Sequence, residues 1–325
     1  MALLESKRPD GVYRQTVLVM STYVTIQVVG QVVGQDVRNE AGDKTIDPAG
    51  RVERAFGWFR QVEACCSRFD ADSELMQLSA RIGEPVPVSA LLFEAVQFAV
   101  AVAAESAGAF DPAIGHTMEA RGFNREHRTG QIVRTGLAAT GPVSYRDVEL
   151  DPASRTITLR RPLVLDLGAV AKGLAIDMAA RELSPFRNYS IDAGGDLYVA
   201  GCNPAGTPWS IGIRHPRHDG QLIDSIRVSD MAICTSGDYE RRSSSSVADH
   251  HILDPRTSSA ATALASVTVA APTAIVADAL ATAAFVLGPV DGLGLLERQG
   301  VAGLAFSPSL ERFAIGEVFG GRRGQ

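Results

Sequence analysis

The chain has 325 residues, 46% of them apolar, enough for a sizeable core in one large domain or two. Its formal net charge is −6 and its 31 Lys and Arg are scattered, which argues against a dedicated nucleic-acid binder with a basic face. The four cysteines, Cys65, Cys66, Cys202 and Cys234, show no CxxC or other metal-ligand spacing and read as reduced structural thiols. With no apolar signal core in residues 1–13, the expected location is the cytoplasm.

In chain order, residues 16–30 read as a strand and the polar, glycine-containing 31–50 as a loop or ragged hairpin. Residues 51–69 place Val52, Ala55, Phe56, Phe59 and Val62 at helical spacing. Asp72 is positioned to cap a short helical run bearing Leu75 and Leu78. A second helix is expected over 88–107, begun by Ser89 and ended by Gly108, followed by a turn at Asp111-Pro112 and a loop over 124–142. Residues 145–150 and 156–159 alternate as a hairpin.

Residues 163–165 read as a strand running into Asp166-Leu167-Gly168-Ala169-Val170-Ala171-Lys172-Gly173 and then a helix through Leu183. A strand, a glycine turn and a helix N-terminus form a ready place for phosphate. Neither the GxxxxGK(S/T) loop nor the GxGxxG dinucleotide fingerprint is met, so a nicotinamide oxidoreductase is disfavoured. Residues 189–200 form a strand in which Gly194-Gly195 predicts a bulge or a close backbone approach. Strands follow at 209–214 and 223–228, then a flexible serine run at 243–246. His250 and His251 point to opposite sides of a strand, so at most one faces a site. Residues 263–270 form a strand, 290–299 a short helix, and 302–306 and 313–315 two further strands. Mixed elements without regular βαβ alternation predict an α+β fold with mixed or antiparallel sheets. A single domain over 16–318 is expected between tails at 1–15 and 319–325, the latter frayed.

Residues 271–288 predict a helix of about four turns, with Pro272 in the first turn and Gly288 as C-cap. Apart from Thr273, its polar side chains are Asp278 and Thr282, one turn apart on one face. A carboxylate in such a helix has three uses. The helix could span a membrane, but it falls short of the required length and carries an acid near its centre. Asp278 could pair with a core Arg or cap a neighbouring element. Or Asp278 and Thr282 could bind a hard cation; carboxylate plus hydroxyl suits Mg2+, which fills its other positions with water and substrate phosphate.

Taken together, Met20-Ser21-Thr22, residues 67–75, 110–115, 166–173, 192–196, 235–241, 251–257 and 271–288 resemble the ApbE family, the FAD:protein FMN transferases, in family order over nearly the whole chain. The resemblance implies an enzyme that binds FAD as substrate and Mg2+ as cofactor. It would move FMN onto a threonine hydroxyl of an acceptor flavoprotein or redox subunit and release AMP. By motif, Ala169 through its carbonyl, Asp278 and Thr282 would hold Mg2+, with Asp278 also counted as catalytic. Met20, Phe69, Ala109, Phe110, Asp111, Asp166, Lys172 and Leu253 would contact the flavin nucleotide. His251 would orient or deprotonate the acceptor hydroxyl. Ser21, Ser79, Arg121 and Ser258 depart from the family pattern, three of them replacing a Gly, an aromatic and a Gly beside the expected flavin pocket. An FAD pyrophosphatase and a non-catalytic flavin-binding or assembly protein are the alternatives.

Overall fold

Strand-forming sequence is spread over both ends of the chain, yet it assembles into one sheet. The computed structural model describes residues 4–7, 11–33, 36–38, 45–125, 130, 132–136, 141–240, 242–243 and 246–320. Nine strands form the main sheet: β1 (Leu4–Lys7), β2 (Val12–Val19), β3 (Thr22–Val29), β4 (Asn188–Ala193), β5 (Asp196–Ala200), β6 (Met231–Gly237), β7 (Ser266–Ala271), β8 (Ala302–Phe306) and β9 (Arg312–Ile315). Each pairs antiparallel with the next, so order in the sheet equals order in the chain.

Between β3 and β4 the chain leaves the sheet to build most of its helices. These are α1 (Pro48–Cys66), α2 (Glu74–Ser79), α3 (Ala90–Glu105), α4 (Gly115–Ala120) and α5 (Gly168–Leu183); α6 (Ala274–Arg298) follows β7. The inward face of the sheet, including Val24, Ile26, Ile191, Cys234, Val267 and Val269, shares one apolar core with the helices. A two-stranded hairpin, Trp209–Arg214 with Leu222–Val228, covers part of the other face. There Trp209, Ile213 and Ile226 pack on Val199, Ile233, Leu304 and Phe306.

α5 packs against both α1 and α6. The crossing with α6 is close because Gly173 has no side chain: a Cβ there would lie 2.5 Å from the Ala274 carbonyl oxygen and 2.6 Å from Ile275 Cα. Both are backbone atoms that cannot rotate away. Gly173→Ala is therefore expected to force the helices apart and cost about 1–3 kcal/mol, read as a lower midpoint in chemical denaturation.

Several expectations change. Residues 16–30 form a hairpin instead of one strand, turning at Met20 and Ser21 with φ of 51° and 58°, and a two-residue turn with both φ positive matches the strand twist. Gly194-Gly195 is likewise the turn between β4 and β5 and not a bulge. Ser73, not Asp72, caps α2 by accepting the Met76 N–H. Residues 163–165 join no sheet; this segment is held by the Gly115 N–H on the Val164 carbonyl and the Asp166 N–H on the Pro112 carbonyl. Pro272 lies outside α6, because β7 runs to Ala271 and Thr273 occupies the N-cap position. The two helices expected at 271–288 and 290–299 are halves of α6, broken at Gly288 with φ 83° and ψ −176° just before Pro289.

Neither expected tail is only a tail. β1 and the start of β2 lie within 1–15, and Phe319 is buried against the second core. Residues 321–325, Arg241, and parts of the expected loops at 31–50, 124–142 and 243–246 lie outside the described residues. Among the described helices α6 is long and apolar enough to cross a bilayer, but it packs on α3, α5 and five strands of the main sheet as the core helix.

Candidate functional site

The break in helical geometry at the start of α5 and the buried acids on α5, α6 and β5 converge on one place. Asp177, in the apolar middle of α5, accepts the N–H groups of Ala274 at 2.7 Å and Ile275 at 2.9 Å. It thereby caps α6 from outside that helix, where the Thr273 side chain makes no capping bond. One turn further along α6, Asp278 accepts the Gly173 N–H on Oδ2 at 3.2 Å. Helices α5 and α6 are thus tied by reciprocal bonds on either side of the close crossing.

Burial raises the Asp177 carboxyl above its ordinary value, against the lowering effect of its two N–H donors. A carboxyl raised in the folded state contributes stability that is present below the unfolded value of 3.8 and lost as pH rises through the folded value. Asp177→Asn leaves one capping N–H without an acceptor, at about 1–3 kcal/mol. Its deficit is expected to be larger at pH 3.5 than at pH 7 in paired thermal melts.

Lys172 occupies the centre. Its Nζ contacts Asp196 Oδ2 and stands 3.7 Å from Asp278 Oδ2; its side chain is 26% exposed, against 5% and 8% for the two acids. Asp196, the first residue of β5, is fixed by the Thr235 N–H on Oδ1 at 3.0 Å. Thr282, one turn beyond Asp278, shares a 3.0 Å hydrogen bond with Ser236 on β6. Asp278 Oδ1 accepts no hydrogen bond among the described residues.

Ala169 departs from helical angles, with φ −97° and ψ 15°. The N–H that a regular helix would aim at its carbonyl, that of Gly173, is met by Asp278. Asp278 and Thr282, one turn apart on α6, and the Ala169 carbonyl at the start of α5 would offer only oxygen donors, the chemistry that suits a hard cation with water or phosphate completing the shell.

A second cluster lies at the turn before α5. Asp166 accepts the Gly168 N–H at 2.8 Å and pairs with Arg68 Nε at 2.6 Å. Arg68 is buried, donates also to the Phe123 carbonyl, and stacks 4.2 Å from the centre of the Phe69 ring. Ala109, Phe110 and Asp111 follow α3 and are buried. Both Asp111 oxygens are used internally, by the Ala113 and Tyr145 N–H groups at 2.9 and 3.0 Å, so its carboxylate braces the segment. Met20 sits half-buried at the β2–β3 turn, and Leu253 is buried in a short hairpin opposite Ala260.

Of the two histidines, only His250 lies in a strand, as its last residue. His250 is buried, with Nε2 at 2.9 Å from the Ala261 carbonyl, Nδ1 accepting the Ile252 N–H at 3.3 Å, and its ring edge-on to Phe285. His251, the next residue, is half-buried. Ser21 and Ser258 both hold positive φ, 58° and 57°, a backbone region that glycine enters more readily than serine. Arg121 donates to the Ser258 carbonyl at 2.7 Å, so two of the departing positions are joined.

Arg68, Asp177, Asp196 and Ser236 were absent from the expected site residues. Asp177 carries the signal that singled out Asp278, an acid inside an apolar helix. Ser236 had none, since only the pairing of β6 with β7 turns it toward α6.

A profile of the ApbE family matches residues 20–305. The FAD:protein FMN transferase of Treponema pallidum is 34% identical over 280 residues, 79% of this chain and 77% of that protein. That of Haemophilus influenzae is 31% identical over 258 residues, 75% and 74% of the two chains. The crystal structure of the ApbE protein from Thermotoga maritima superposes with a TM-score of 0.78 at 29% identity, covering 93% of this chain and 96% of that one. The flavin transferase ApbE from Vibrio cholerae gives 0.78 at 25% identity, covering 94% and 97%. Sequence and fold agree, and this chain belongs to the ApbE family.

Proposed function

We propose that the chain is an FAD:protein FMN transferase that uses Mg2+ to move the FMN half of FAD onto a threonine hydroxyl of an acceptor flavoprotein or redox subunit. The observation that carries this is the donor set of Ala169, Asp278 and Thr282 beside Lys172, at the N-terminus of α5. Family membership supports the flavin substrate.

In the reaction the threonine oxygen forms a bond to the phosphorus on the FMN side of the pyrophosphate. The bond from that phosphorus to the bridging oxygen breaks, and AMP leaves with the bridging oxygen. Such a transfer needs positioning and neutralisation of charge more than covalent help. Bound Mg2+ supplies charge neutralisation at the pyrophosphate oxygens. Lys172 supplies a fixed cation, and the first N–H groups of α5 favour an anion at that helix end. The Arg68–Asp166 pair holds the turn before α5 in place. His251 accepts the threonine proton.

The test is chromatography of FAD, FMN and AMP after incubation with Mg2+, with and without a threonine-bearing acceptor, together with the acceptor's mass. AMP with a flavin mass on the acceptor threonine is the expected result. AMP with equivalent free FMN would replace the reading with a pyrophosphatase, and unchanged FAD with a binding protein.

A further inference from the structure

Lys172 creates a difficulty for a cation site at Asp278. The ammonium is the nearest positive charge to that carboxylate, and it sits on a flexible stem that can swing from one acid to another. If it closed the 3.7 Å gap to Asp278, it would neutralise the carboxylate that a divalent cation needs. What opposes this is Asp196. It is buried, its backbone is fixed by the tight turn before β5, and its Oδ1 is held by the Thr235 N–H. Its Oδ2 holds the ammonium.

The charges sort themselves accordingly. Lys172 and Asp196 form a neutral pair, and the formal charge of Asp278 remains for a cation. We infer that Asp196 is a positioning residue that holds Lys172 off Asp278, leaving the carboxylate open to the metal while presenting the ammonium to substrate. The inference rests on the reading of Ala169, Asp278 and Thr282 as the Mg2+ site. Asp196 itself is no ligand: its two oxygens are taken by Thr235 and Lys172.

The prediction is a competition. In Asp196→Asn the ammonium moves to Asp278, and Mg2+ affinity falls by about 10–100-fold, the range for loss of a residue that orients a ligand. Removing the competitor as well, in Asp196→Asn/Lys172→Met, restores affinity to within about threefold of wild type, since Asp278 again stands unpaired. A residue that only stabilised the fold would give no such recovery.

The experiment is calorimetric titration of Mg2+ into the full chain for wild type, Asp278→Ala, Asp196→Asn, Lys172→Met and the double variant. Binding in wild type, its loss in Asp278→Ala, weakening in Asp196→Asn and recovery in the double variant are expected. Should Asp196→Asn fail to fold, Lys172→Met alone decides: its Mg2+ affinity must equal or exceed that of wild type, and a fall overturns the inference. Wild-type binding with an unchanged Asp196→Asn, or a double variant as weak as the single, overturns the role of Asp196 alone. No Mg2+ uptake by wild type overturns the metal reading and the inference with it.

Discussion

Asp278→Ala is expected to reduce flavin transfer by at least about 100-fold, the scale on which removing one preorganised charge-stabilising group acts. The carboxylate is the only acid in the proposed cation donor set, and the Thr282 hydroxyl and Ala169 carbonyl carry no formal charge to replace it. The fold should survive. Asp278 is a buried acid, and its removal relieves a desolvated charge at the cost of one 3.2 Å bond from Gly173. Lys172 keeps Asp196 as its partner. AMP release and acceptor mass read the activity, and a thermal melt reads the fold. Wild-type turnover in this variant would remove the metal assignment, whereas lost turnover with a collapsed melting transition would reassign Asp278 to structure.

Arg68→Ala is expected to produce the largest loss of stability, about 3–5 kcal/mol, because it breaks a buried ion pair by removing one side. Arg68 and Asp166 side chains are 5% and 15% exposed, and Asp166 would keep its charge without the guanidinium at 2.6 Å. The same change frees the Phe123 carbonyl and uncovers the Phe69 ring. Urea denaturation should show a midpoint shift with an unchanged slope. Arg68→Ala/Asp166→Asn should recover part of the loss, since a neutral amide then replaces the carboxylate that faced Arg68. If the single variant loses less than about 1 kcal/mol, the pair behaves as an exposed one, and its bracing role is wrong.

The helices were the most legible part of the chain. Val52, Phe56, Phe59 and Val62 repeat over about three turns of α1 and are fully buried, and Ser89 caps α3 as its position suggested. The strands were legible as segments but not as hairpins. Nothing in apolar alternation marks a turn at Met20-Ser21, because neither residue is a usual choice for positive φ. Likewise a Gly-Gly pair inside an apolar run fits both a bulge and a turn until the pairing of β4 with β5 is known.

Within the site, Asp278 stood out because an acid in an alanine-rich helix conflicts with its surroundings. Lys172 was legible as a cation near a helix start, but its contact with Asp196 depends on β5 coming to rest beside α5, across 24 residues of chain from Lys172. Arg68 looked like an ordinary charged residue at a helix end. Only the packing of 164–166 against 112–115 brings Asp166 to it.

The strict neighbour order of the sheet also sets a timetable for synthesis. β3 ends at Val29, while its partner β4 begins at Asn188. On a ribosome adding about 5–20 residues per second, the outer edge of β3 waits on the order of ten to thirty seconds for the strand that covers it. During that interval β2 and β3 form a nascent hairpin with an open row of backbone donors and acceptors and the apolar residues Val24, Ile26 and Val28 unburied, the features that invite pairing with another chain. Helices α1 to α5 emerge in the same interval, and early packing of α1 on β2 would cover that apolar face. The order of synthesis thus gives the helical insertion a second task, shielding an unfinished sheet.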